Sequence, residues 1–275
     1  IVLGADASNA FAEAPPPKAP LYVRIDENYK RWYKHKFPEK PPLPDDYVLR
    51  VQKALQGHPE SPRLWATLID KIIKQLNLKP CTHEPNLYYT NNYNNTGKKV
   101  LFLRQVDDFA IACEDTDTAN MVVKDINSKM TINVKQLGLI SRYNGMDVEQ
   151  RREYIKLHQT TYINKLLAQH EWLQKDNRRM NAHPLPMNPD NKYQNKLETA
   201  EPLSGKEWQK LEQELKFTYR QAVGEIIYAM ITCRPDISYA IIKLSQYATR
   251  PAKIHYEALI VFLSIDIKHE QIQIE

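Results

Sequence analysis

The sequence predicts an α+β chain on three observations. Residues 1–180 alternate strand-like and helix-like segments, whereas residues 204–265 are nearly all helical in pattern. Two apolar runs of strand length, Val100–Leu103 and Phe109–Cys113, flank a short polar break and read as a β-hairpin. One long segment, Leu64–Leu76, repeats its apolar residues at helical spacing, the mark of a core-facing helix.

In chain order, Ile1–Ala5 is a short apolar run that ends at Asp6. That aspartate is either a metal ligand delivered by a strand end or the N-cap of a short helix. Pro15, Pro16, Pro17 and Pro20 mark an extended piece, and Leu21–Ile25 alternates like a strand. Tyr29–Lys36 interleaves bases with aromatics, which suits nucleic acid as well as it suits a solvated helix face. Prolines at 38, 41, 42 and 44 form a loop, and Tyr47–Leu55 is β-like. Gln56–Arg63 reads as a turn, with Ser61 as N-cap and Pro62 first in the Leu64–Leu76 helix.

Asn86–Thr90 reads as a strand and the Asn-rich Asn91–Lys98 as a turn. After the hairpin, Ala119–Met130 is amphipathic; Ile132–Val134, Tyr143–Glu149 and Tyr154–Leu157 read as short strands, and Thr160–Trp172 as a helix. Asn181–Leu203 is polar and Pro-bearing, a linker by composition. Glu207–Met230, Ile237–Tyr247 and Ala252–Ile265 read as helices, and the tail from Asp266 carries no core pattern.

Composition narrows the chemistry. The 275 residues suffice for one large domain or two smaller ones, and a 42% hydrophobic content supplies a core. A net charge of +5 permits a polyanionic partner without requiring one. Cys81, Cys113 and Cys233 are far apart, which excludes a zinc ribbon or disulfide framework and fits a reducing compartment. No phosphate-binding glycine loop occurs among the seven glycines, and no apolar run approaches the ~18 residues of a membrane span. The eight histidines show no metal-ligand spacing and read as structural or surface groups. Ser61 has no evident histidine partner for a hydrolase triad.

The strongest chemical signal is the pair Asp107–Asp108 within Lys99–Cys113. Two carboxylates in an apolar hairpin are costly unless a cation sits on them, and Mg²⁺ held by one or two carboxylates plus substrate phosphates is the natural candidate. A merely polar turn is the other reading.

Taken together, the segments resemble the reverse transcriptase of copia-type LTR retrotransposons. G-A-D-A-S-N-A-F at Gly4–Phe11 looks like that family's D-x-x-x-A-F segment, and Leu55–Trp65 like its L-Y-G-L-K-Q-S-P-R-x-W segment. Leu103–Ala112 looks like its Y-V-D-D hairpin and Leu137–Val148 its primer-grip region. Tyr219–Gly224 with Thr232–Ala240 is similar to its Y-R-x-x-V-G … T-R-P-D-I-x-Y-A connection. The resemblance implies a right-handed polymerase: a palm with an antiparallel sheet backed by helices, then a mainly helical thumb and connection. It divides the chain into partial fingers and palm (1–150), a thumb-like segment with linker (151–203) and a helical connection (204–275).

The implied activity is RNA-directed DNA synthesis, two-metal nucleotidyl transfer to a primer 3′-OH with Mg²⁺, or Mn²⁺ in its place. Asp6 and Asp107 would bind both metals, with Asp108 assisting. Phe11 would stand where the family excludes a 2′-OH, or be a core aromatic, and Gln56 and Gly57 would line the nucleotide and template side. The implied partners are an RNA template, a DNA or RNA primer and deoxynucleoside triphosphates, with no membrane. The implied location is the cytoplasm, in virus-like particles, with the nucleus as a further compartment.

The departures are Gln105 for the usual Tyr, Pro59 and Glu60 for Lys and Gln, and the absence of a terminal Y-L-K-G-T and RNase H segment. With a start at Ile1 inside an apparent strand, they lead to the expectation of a partial copy lacking most of the fingers. The alternative function is therefore an inactive nucleic-acid-binding remnant, with a metal-dependent nuclease a distant third.

Overall fold

The computed structural model describes residues 1–169 and 187–265. The chain divides into two compact units, Ile1–Ile140 and Ser141–Glu275.

The first unit contains, in order, β1 (Val2–Asp6), β2 (Tyr22–Arg24), α1 (Glu27–Lys36), β3 (Val48–Arg50), α2 (Ser61–Gln75), β4 (Lys79–Pro80), β5 (Leu87–Tyr93), β6 (Lys98–Gln105), β7 (Asp108–Cys113), α3 (Thr116–Asn127) and β8 (Lys135–Leu139). Six strands form one antiparallel sheet in the order β4-β5-β6-β7-β1-β8, and β2 pairs with β3 apart from it. β1 thus inserts beside β7, although a hundred residues separate their facing ends.

Side chains alternate across the sheet. Val100 and Phe102 of β6, Phe109 and Ile111 of β7, and Leu3 and Ala5 of β1 share one core with α2 and α3. α2 contributes Trp65, Ile69, Ile72 and Ile73, and α3 Ala119, Val122, Val123 and Ile126. Burying each large apolar side chain is worth about 1.5–3 kcal/mol, so this one-sided layer dominates the stability of the unit. The same alternation puts Asp6, Asp108 and Gln105 on the opposite face, away from the helices.

Several local expectations shift for identifiable reasons. Ser61 is the first residue of α2, not its N-cap, because its buried hydroxyl donates back to Leu55 O at 2.6 Å. Ile132–Val134 is not a strand. Asn127 clasps both backbone groups of Val134, and the Glu13 carboxylate accepts from Ile132 N, so no ladder can form there. The strand begins at Lys135 instead.

The second unit holds β9 (Arg142–Tyr143), β10 (Met146–Gln150), β11 (Ile155–His158), α4 (Thr160–Gln169), α5 (Asn191–Thr199), α6 (Gly205–Leu215), α7 (Tyr219–Thr232), α8 (Ser238–Ser245) and α9 (Lys253–Ile265). The strand expected over Tyr143–Glu149 is a hairpin. Asn144 (φ 46°) and Gly145 (φ 81°) form its two-residue turn, a sequence suited to type I′ geometry. Tyr228 closes over that turn and donates to Asn144 O at 3.1 Å. The expected helix Glu207–Met230 is two helices, broken at Lys216 (φ 61°) and restarted by Thr218, whose side chain accepts from Gln221 N. Within the expected linker, residues 191–199 are helical and bury Leu197 completely. The C-terminal end of the expected Thr160–Trp172 helix, the first residues of that linker and the tail from Asp266 lie outside the described residues.

His255 is structural. Its Nδ1 accepts from Ala252 N and its Nε2 lies 2.8 Å from Leu197 O, so Nε2 carries the proton, and the ring stacks on Tyr247.

Candidate active site at the β6–β7 tip

The site is built on the β6–β7 hairpin. Gln105 and Asp108 are the last cross-strand pair, so Val106 and Asp107 alone make the turn. Val106 has φ 56°, a conformation that a β-branched residue adopts only under constraint. Two bonds supply the constraint. The buried indole of Trp65 donates to Val106 O at 2.7 Å, and Ala7 N donates to Asp107 O at 2.8 Å. The Gln56–Arg63 turn therefore launches a helix whose second turn grips the hairpin tip. Behind it, Arg104 on the core face donates to Ala66 O and to Asn86 Oδ1, tying β6 to α2 and to the residue that precedes β5.

β1 brings the third carboxylate. Asp6 lies directly opposite Asp108, and Gly4 and Ala110 form the next pair on that face. Asp6 is not a helix cap: its Oδ2 accepts from Ser8 Oγ at 2.6 Å, and Asn9 precedes the 3-10 turn Ala10–Glu13. Directly opposed antiparallel residues point to the same face with Cβ atoms about 4.5–5.5 Å apart. Asp6 and Asp108 are thus neighbours on the open face, and Asp107 follows at the tip.

Partial burial of its carboxylate, then the charges of Asp107 and Asp6, raise the Asp108 carboxyl above its ordinary range, although the residue as a whole is exposed. No ion pair reaches any of the three carboxylates among the described residues. The set is acceptor-only and negatively charged, which suits a hard divalent cation. Among the described residues no group of three His, Cys, Asp or Glu closes on a metal position. Two carboxylates completed by substrate phosphates are the arrangement that fits both facts.

The row across the sheet reads Gln105, Asp108, Asp6, Lys135. Sequence reasoning overlooked Lys135. No motif spacing points to it, and only the β1–β8 register sets it beside Asp6. In the next row on this face, Leu103, Ala110, Gly4 and Gly138, Ala110 and Gly4 are buried, and the Leu137 side chain packs where a Gly4 Cβ would point. Phe11 lies in the 3-10 turn, half-buried against the core. Gln56 and Gly57 are exposed in the turn before α2, with Gly57 at φ 88°.

The first unit is thus a sheet backed by two helices, with carboxylates from two strands at one tip. The model of the reverse transcriptase (RNA-dependent DNA polymerase) family matches residues 40–184, more than half of the chain, and the chain belongs to that family. The match contains Asp107 and Asp108 and begins after Asp6.

The chain is 26% identical over 214 residues to the Retrovirus-related Pol polyprotein from transposon TNT 1-94 of Nicotiana tabacum, covering 77% of this chain and 15% of that protein. It is 27% identical to the corresponding polyprotein from transposon RE1 of Arabidopsis thaliana over 78% of this chain and 13% of that one. A putative transposon Ty5-1 protein of Saccharomyces cerevisiae is 25% identical over 78% of this chain and 62% of its own length. These relatives show the copia-type reverse-transcriptase fragment that the motifs resembled. The chain thus spans about one seventh of the plant polyproteins it matches. No solved structure matches. Among the described residues no helix is long and apolar enough to cross a membrane.

Proposed function

We propose that the first unit is the nucleotidyl-transfer centre of an RNA-directed DNA polymerase, with Asp6, Asp107 and Asp108 as its working carboxylates. The observation that carries this reading is the cross-strand pairing of Asp6 with Asp108 beside a turn pinned by Trp65 and Ala7. In this reading Asp6 and Asp107 hold two Mg²⁺ ions, with Mn²⁺ able to replace them, and Asp108 assists. When bound, the ions supply activation of the primer 3′-OH and charge stabilisation at the leaving pyrophosphate.

The chain's own residues do the positioning. The Trp65 and Ala7 bonds hold Asp107 at a fixed place at the hairpin tip. In this reading Phe11 excludes a 2′-OH from the incoming sugar. Gln56 and Gly57 line the nucleotide and template side. Template RNA, a DNA or RNA primer and deoxynucleoside triphosphates are the partners of this reading. On the same reading residues 1–150 are partial fingers and palm, 151–203 thumb-like with a linker, and 204–275 connection, working in cytoplasmic particles.

One observation favours a second reading, a nucleic-acid-binding remnant without turnover: Gln105, which pairs with Asp108, departs from the tyrosine usual at that place in the resembled motif. Primer extension on an RNA template with Mg²⁺ or Mn²⁺ separates the two. The first reading expects extension that Asp107→Asn abolishes. Binding of primer–template with no extension in either metal supports the second.

A further inference from the structure

Residues 21–51 leave the body of the first unit as an arm. Among the described residues its strands β2 and β3 pair only with each other, and α1 connects them without burying any of its residues. Ten residues is below the length at which a helix holds in water on propensity alone, about 12–15 residues, so the arm must stabilise itself locally. Asp26 caps α1 by accepting from Tyr29 N at 2.7 Å, and Lys30 bridges Glu27 and Asp45. Tyr29, Trp32, Tyr33 and Phe37 form a ring cluster along the helix.

What this leaves outward is unusual. Trp32 is 49% exposed although it touches two rings. Arg24, Lys34, Lys36 and Arg50 are exposed and form no salt bridge among the described residues, whereas Glu27 and Asp45 are engaged by Lys30 and Asp26 by the helix cap. Register puts Tyr22 opposite Arg50 and Arg24 opposite Val48, so both arginines share one ribbon face with an exposed tyrosine. Free cations interleaved with exposed rings complement a polyanion with unstacked bases. The arm's arginines and rings would also suit a protein interface, but its two free lysines, a residue type depleted at such interfaces, favour the polyanion.

The arm is rooted next to the carboxylate site. Val51 N donates to Leu21 O, Ala54 N to Ala14 O and Lys53 Nζ to Glu13 O, which ties its base to the turn carrying Phe11. The chain then runs from Ala54 directly into Gln56–Gly57.

We propose that this arm holds single-stranded nucleic acid as it approaches the carboxylate tip, Trp32 stacking on a base while Arg24, Lys34, Lys36 and Arg50 contact phosphates. The proposal rests on the preceding reading only in taking a polynucleotide as what the first unit works on.

The test is anisotropy titration of labelled single-stranded RNA and DNA oligonucleotides with the full chain, at several salt concentrations. Trp32→Ala should weaken binding about tenfold, within the range of one lost base–aromatic stack, and Trp32→Phe should restore most of it. Lys34→Glu with Lys36→Glu should flatten the dependence of log affinity on log salt by about 0.7 for each lost phosphate contact. Circular dichroism must show these variants folded, and Trp32→Phe keeps the test informative if Trp32→Ala does not fold. Folded arm variants that bind like the parent at every salt overturn the proposal, as does loss of self-association with oligonucleotide binding unchanged. Primer extension with arm-independent binding would sink the arm and leave the polymerase reading standing. Arm-dependent binding without extension would do the reverse.

Discussion

Trp65→Phe isolates the bond that holds the Asp107 turn. Trp65 is 1% exposed, and its indole N–H reaches Val106 O at 2.7 Å. A phenyl ring keeps the aromatic body and removes the donor. The lost hydrogen bond costs about 1 kcal/mol, with no full desolvation penalty because the carbonyl sits at an exposed tip. Shrinking a fully buried indole adds about 1–2 kcal/mol, less than complete truncation. The expected loss is therefore about 2–3 kcal/mol.

Val106 supplies the counter-experiment. A left-handed conformation costs an L-residue about 1–2 kcal/mol, whereas glycine there costs about 0.5–1 kcal/mol of unfolded-chain entropy. With its side chain half exposed, Val106→Gly should be neutral or stabilising by up to about 1.5 kcal/mol. Once the strain is gone the turn no longer depends on Trp65, so Trp65→Phe should impair primer extension less in the Val106→Gly background. Amide hydrogen exchange along β6 and β7 reads the stability, and primer extension reads the position of Asp107. Trp65→Phe within about 0.5 kcal/mol of the parent, or Val106→Gly destabilising by more than about 1 kcal/mol, would refute the argument.

Asp108→Asn should stabilise the metal-free first unit by about 0.2–1 kcal/mol at pH 7, by removing a like charge opposite Asp6. The folded-state carboxyl titrates above its unfolded value, so this advantage is full above the raised value and fades as pH falls toward about 3.9. Thermal unfolding across that range checks it, and Mg²⁺ should raise Tm more in the parent than in the variant. Phe11→Ala should raise ribonucleotide incorporation in primer extension. An unchanged deoxy-to-ribo ratio would leave the ring as core packing alone. Gly145→Ala should destabilise the second unit by about 2–4 kcal/mol, from left-handed strain plus a clash. An added Cβ would lie 2.1 Å from the Tyr228 hydroxyl, so Tyr228→Phe should recover part of the loss in urea unfolding.

The sequence determined the elements whose signals are local. The apolar stripe from Leu64 to Leu76 declared α2, since periodicity alone decides which face of a helix is buried. The two apolar runs around Asp107 and Asp108 declared the hairpin for the same reason. Where neighbouring residues competed for the backbone, pattern reading went astray. Asn127 and Glu13 take the backbone groups around Ile132–Val134, and Thr218 caps a helix inside what looked like one continuous apolar pattern. Asn144–Gly145 carried a legible turn signal that the strand pattern around it obscured.

Only the tertiary structure decided what meets the carboxylates. Asp6 and Asp108 face each other because β1 inserts between β7 and β8, a choice made by core packing of Leu3 and Ala5 and not by any local preference. Lys135 joins their row through β-sheet register, and Trp65 reaches Val106 across 41 positions of sequence. Such contacts depend on which faces are buried against one another. A one-dimensional pattern records which side chains are apolar, but it does not record what lies opposite them.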